Sequence, residues 1–185
     1  EDPGLVILPA HRMISALSPE ALARLDTFAP KYFDVEDFPL TDMGRDAALA
    51  RLTATPEEKT GIVVMTKDRT RLLTLKPGVM DELFSDVLEP SLRSLDVSVL
   101  THLVFHTILG LTPADMDDHD LIRYTVNAKV LSEEVREGRM AAGFVINPTR
   151  ISEVREVARA GLVMPRKSTY FYPKVITGLV MNSLL

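Results

Sequence analysis

The sequence predicts an α+β fold, a mixed β-sheet of about six or seven strands flanked by helices. Three observations carry that prediction. Gly61-Ile-Val-Val-Met65 and Arg71-Leu-Leu-Thr-Leu75 are apolar runs on either side of a polar turn at Lys67-Asp68-Arg69, the pattern of a β-hairpin over residues 61–76. Longer stretches repeat apolar residues at helical spacing and carry helix-start and helix-stop residues. In the last third the two kinds of segment alternate as β-α-β-α-β with short links.

Taken in order, Leu5-Val-Ile-Leu8 reads as a buried strand that breaks at Pro9-Ala-His11-Arg12. A helix follows: Ser18 can cap it, Pro19 suits its first position, Leu17 and Leu22 can form a hydrophobic staple, and Pro30 is expected to end it. Leu22, Leu25 and Phe28 form its inward face. Phe33-Asp-Val-Glu-Asp-Phe38 alternates apolar and acidic residues, as a half-exposed strand does. Asp42 to Leu52 is a short helix, and Thr55-Pro-Glu-Glu58 matches a capping box over one turn. After the hairpin, Gly78 to Leu88 is helical. Asp96 to Leu109 is apolar nearly all round and is therefore a central, buried helix. Leu121 to Val126 is a strand, Asn127 caps a helix that Gly138 stops, Ala141 to Ile146 is a strand, and Thr149 to Ala160 is a helix stopped by Gly161. Val175 to Leu185 is apolar enough to be expected as a strand of the core sheet.

With 185 residues, 46% of them hydrophobic, the chain is long enough for a real core and reads as a single domain, residues 1–185. Glu1 is not an initiator Met and a core-like element begins at once, so the chain is expected to be the C-terminal portion of a longer protein. A net charge of −5 argues against broad nucleic-acid binding, which needs a basic face. The absence of cysteine excludes disulfides, thiolate catalysis and Cys-based metal sites. No apolar run approaches the ~20 residues of a membrane span, and no signal-peptide pattern is present. The expectation is a cytoplasmic protein without membrane association.

The chemistry concentrates in two places. Between Gly161 and the end there is no acid, yet Arg166, Lys167 and Lys174 stand among Ser168, Thr169, Tyr170 and Tyr172, with Pro165 and Pro173 bending the chain on either side. A cation beside two hydroxyls after a proline bend can hold a phosphate or carboxylate. The same charges could equally protect a strand edge. At the other end of the chain, His11-Arg12 lies where no local acid neutralises Arg12. The candidate site is therefore Arg12, Lys167, Ser168, Thr169 and Lys174 for an anion, with His11 as a proton carrier. His102 and His106 stand four apart on one helix, but the Glu of an H-E-x-x-H motif is missing. They read as residues of a helix edge that bind no metal, and Asp115, Asp117, Asp118 and Asp120 as a solvated loop. Tyr124 reads as a packing residue.

The tail, Met164-Pro-Arg-Lys-Ser-Thr-Tyr-Phe-Tyr-Pro-Lys174 followed by Thr177-Gly-Leu-Val180, resembles the closing signature of the domain of unknown function family 1015. Leu5-Val-Ile-Leu-Pro-Ala-His-Arg12, Leu95-Asp-Val97, Leu109-Gly-Leu111 and Phe144-Val-Ile-Asn-Pro148 resemble its other landmarks in the same order, so the resemblance spans the chain. His102 and His106 are not part of that pattern, and the family's upstream ParB-like half has no counterpart here. The family has no settled activity. The resemblance implies phosphate chemistry on a small, serine-related metabolite, carried out either by an enzyme to which this domain contributes or with this domain as a non-catalytic binding or interaction module. No cofactor is implied.

Overall fold

The computed structural model describes residues 4 and 6–173; Lys174 and the strand expected from Val175 onward lie outside the described residues. The class is α+β, as expected. Strands β2 (His11–Ile14), β3 (Phe33–Phe38), β4 (Gly61–Thr66), β5 (Thr70–Leu75), β6 (Ile122–Thr125) and β7 (Ala142–Ile146) form one sheet in the order β3-β5-β4-β7-β2-β6. A separate ribbon pairs β1 (Val6–Leu8) with β8 (Tyr170–Tyr172). Every pairing is antiparallel. The alternation in the last third is present, and β6 and β7 run the same way with helix α7 (Ala128–Arg136) linking them. They do not touch, because β2 lies between them and pairs with both.

Both faces of the sheet are covered, which is why β4 and β7 read as unbroken apolar runs. Successive strand residues point to opposite faces. Ile62, Val64, Leu73, Phe144 and Ile146 join one core with α1 (Pro19–Tyr32), the long helix after Leu95 and Val157 of α8 (Ile151–Arg159). Val63, Met65, Leu72 and Val145 join another with α2 (Asp42–Thr53) and α7.

Local chemistry explains most of the boundaries. Ser18 Oγ accepts from the Ala21 amide at 3.1 Å and starts α1. Pro30 does not end that helix, which runs on to Tyr32. It stands in the last turn, where its missing N–H sacrifices a single intrahelical bond. The capping-box match at Thr55 produces only turns. By contrast, the acidic stretch after Thr112 begins with a short helix, α6 (Pro113–Asp117), closed by a true capping box of Thr112 and Asp115.

The long buried helix starts as α5 (Asp96–Ser98) and continues with π winding over Val99–Leu109. Its end is closed by Gly110 at φ 76° and by Arg24, whose guanidinium donates to the carbonyls of Ile108 and Thr107 at 2.8 Å each. Phe105 anchors its middle edge-on against Phe144 of β7, with ring centroids 4.9 Å apart.

Candidate anion-binding site

The main departure from the sequence expectation lies at His11-Arg12. Strand β1 does break at Pro9-Ala10, but His11 and Arg12 are not part of that break; they are the first half of β2, deep in the large sheet, and Arg12 is only 2% exposed. The apolar run before them forms the peripheral ribbon instead. Both are polar, and the sheet buries both.

Alternation along β2 separates the pair. Arg12 shares the face of Ile14, and His11 shares that of Met13. His11 Nδ1 is buried without a hydrogen-bond partner among the described residues. Burial first, and the Arg12 charge second, push its pKa down to about 4, so the ring is neutral at pH 7. It lines no cavity that holds Arg12 or Lys167. Nothing in this placement supports His11 as a proton carrier for the site.

Arg12 sits opposite Tyr124 in the β2–β6 register, with its guanidinium carbon 5.7 Å from the ring centroid. Its Nη1 donates to the Ala10 carbonyl at 2.7 Å and its Nη2 to the Lys167 carbonyl at 3.3 Å. Nε has no partner among the described residues. No carboxylate among the described residues pairs with it. Burial lowers its pKa to about 10, which still leaves it cationic at neutral pH. A buried cation without a counter-charge is costly by several kcal/mol.

The tail delivers the second cation. Pro165 to Ser168 form a tight turn in which the Ser168 amide donates to the Pro165 carbonyl at 3.2 Å. Lys167 takes φ 56°, the left-handed region that such a turn favours at its third residue and that usually calls for glycine. Arg12 grips the carbonyl of that same residue. Lys167 Nζ lies 5.6 Å from the Tyr124 centroid and pairs with no carboxylate among the described residues.

Tyr124 therefore touches both cations and lines two adjoining cavities. One, of about 280 Å³, is bordered by Arg12, Thr101, His106, Asp117 and Arg166. The other, of about 360 Å³, is bordered by Lys167, Thr169 and Tyr170. Arg166 and Asp117, both exposed, are joined by an ion pair at the rim of the first. Ser168 is buried with its Oγ unpaired among the described residues, lines neither cavity, and accepts from Thr149 Oγ1 through its backbone carbonyl at 2.8 Å. The structure thus brings Arg12 and Lys167 to one tyrosine, places Thr169 beside Lys167, and leaves His11 and the Ser168 hydroxyl out.

Tyr124, Thr101, His106 and Asp117 were not expected here. A register is needed to set Tyr124 against Arg12, and no local pattern reveals it. For His106 the signal was its place on an apolar helix, which reads as packing. His106 Nδ1 lies 2.6 Å from the Leu111 carbonyl, and its ring centroid is 5.9 Å from that of His102. Burial and the neighbouring His106 lower the His102 pKa. The described residues contain no group of three His, Cys, Asp or Glu side chains placed to hold a metal ion. No helix among them is long and apolar enough to cross a membrane. No protein-family model matches the chain, and neither a curated protein nor a solved structure matches it.

Proposed function

We propose that this chain is a binding domain for a small phosphorylated metabolite, with Arg12 as the buried charge that meets the phosphate. One observation carries the reading: a nearly inaccessible guanidinium, cationic at neutral pH and unpaired by any carboxylate among the described residues, borders a cavity of about 280 Å³. Arg is suited to that role because its planar fork matches phosphate oxygens and it never leaves the charged state. Lys167, on the far side of the Tyr124 contact, adds positive potential without touching Arg12's cavity. The phosphate chemistry implied by the resemblance to family 1015 points the same way. A binding role is preferred to catalysis because the expected proton carrier, His11, faces the opposite side of the sheet.

The test is a thermal melt of wild type and Arg12→Met, with and without inorganic phosphate. Ligand that binds only the folded state raises the melting temperature by mass action, so wild type is expected to gain stability with phosphate and the variant to gain none. Without phosphate the variant is expected to be at least as stable as wild type, since replacing an unpaired buried charge by an apolar side chain removes a desolvation penalty. A wild type indifferent to phosphate together with a strongly destabilised variant would make Arg12 a structural residue and end the proposal.

A further inference from the structure

The cavity that holds Arg12 also holds a hydrogen-bond acceptor that a bare phosphate would not need. His106 lines it, and its Nδ1 lies 2.6 Å from the Leu111 carbonyl. A carbonyl can only accept, so Nδ1 carries the hydrogen, and the tautomer with one ring hydrogen leaves Nε2 with its lone pair. That nitrogen makes no hydrogen bond to a described residue.

The winding of the helix creates this arrangement. In a π-helix the backbone bond reaches five residues back, so residues five apart lie on the same side of the helix. Thr101 and His106, five apart, border the same cavity, whereas α-helical winding would turn them toward different sides.

The polar lining is otherwise dominated by donors. Arg12 and Arg166 offer only N–H groups. Of the other groups able to accept, the Asp117 carboxylate is held through Oδ1 by Arg166 at the exposed rim, and the Thr101 and Tyr124 hydroxyls donate as well as accept. An anion oxygen gains nothing from a lone pair facing it, so an acceptor beside a cation that no carboxylate among the described residues neutralises is complementary to a molecule carrying both a phosphate and a donor.

We propose that His106 Nε2 accepts a hydrogen bond from a hydroxyl of the ligand, making this a site for a small phosphorylated alcohol that keeps a free hydroxyl. This rests on the reading of Arg12 as the phosphate-binding charge. A cavity of about 280 Å³ lies at the small end of ligand sites, a size that suits a small metabolite.

Calorimetric titration of the whole chain with inorganic phosphate, propyl phosphate and glycerol phosphate tests it. Propyl and glycerol phosphate share a three-carbon skeleton, and only the second carries free hydroxyls. Wild type is expected to bind glycerol phosphate at least about five-fold more tightly than propyl phosphate, the worth of one neutral hydrogen bond. In His106→Ala the ratio should fall to near one. In His106→Gln, whose side-chain oxygen can stand near the place of Nε2, part of the preference should return; thermal melts establish that both variants fold. Equal binding of the two organic phosphates by wild type, or an unchanged ratio in His106→Ala, overturns the hydroxyl inference while phosphate binding by Arg12 stands. Failure of all three phosphates to bind wild type overturns both.

Discussion

Asp96, in the first turn of the long buried helix, is expected to make this protein lose stability as the pH rises through the weakly acidic range. Burial is the main reason that its pKa is raised from 3.8 to about 7; the Glu153 carboxylate adds to the effect, while a hydrogen bond from Thr60 and the charge of Arg150 oppose it. Between those two values the folded protein retains the Asp96 proton and the unfolded chain has released it, so stability falls with rising pH. Above about 7 both states are ionised and the penalty is constant. At about 1.4 kcal/mol per pH unit it accumulates to about 4 kcal/mol at most. Asp96→Asn keeps the shape and cannot ionise. Denaturant unfolding of both proteins at about pH 5 and about pH 8 isolates the effect, and the advantage of the variant is expected to grow by about 3 kcal/mol between them. Other groups titrate nearby: His11, neutral in the fold with its pKa down at about 4, acts in the opposite sense, and stability is lost as the pH falls below 6.5. That contribution is common to both proteins and cancels in the difference. A variant advantage that does not change with pH would show that Asp96 ionises in the fold as it does in water.

Two further outcomes follow from the same structure. Gly44→Ala in α2 should destabilise the protein by about 1–3 kcal/mol in denaturant unfolding, although alanine favours a helix interior by about 1 kcal/mol over glycine. The new Cβ would lie 2.1 Å from the Pro39 carbonyl oxygen, a backbone atom that cannot swing away, and a stabilised variant would refute that packing. Lys167→Gly removes a charge with no carboxylate partner among the described residues and suits the left-handed turn. Its unliganded stability should thus remain within about 1 kcal/mol of wild type, while phosphate binding weakens less than in Arg12→Met. If Lys167→Gly abolishes binding and Arg12→Met does not, the ligand occupies the cavity bordered by Lys167 and Thr169.

Much of the architecture was legible in the order of residues. The hairpin of β4 and β5, the caps at Ser18 and Asn127, and the burial of the helix from Asp96 to Leu109 each depend on neighbours a few residues away, and periodicity reports them directly. The concentration of unneutralised cations at Arg12 and around Lys167 is likewise a property of the chain itself. What only the tertiary structure decided is how those pieces meet. A strand made of His11-Arg12-Met13-Ile14 is stable because β6 and β7 pair with it on both edges and helices cover both its faces, and no local signal carries that information. Strand alternation then sends His11 and Arg12 to opposite sides, a one-residue matter that reverses the role of the histidine. Arg12 meets Tyr124 through a register and the Lys167 carbonyl through a turn, each more than a hundred residues away from it along the chain. The π winding that sets Thr101 and His106 on the same side has no signature in hydrophobic spacing, because a helix buried nearly all round presents apolar residues at any period. Local sequence chose the elements and the charges; long-range packing chose which charges lost their water, and with it the place where a ligand could supply what is missing.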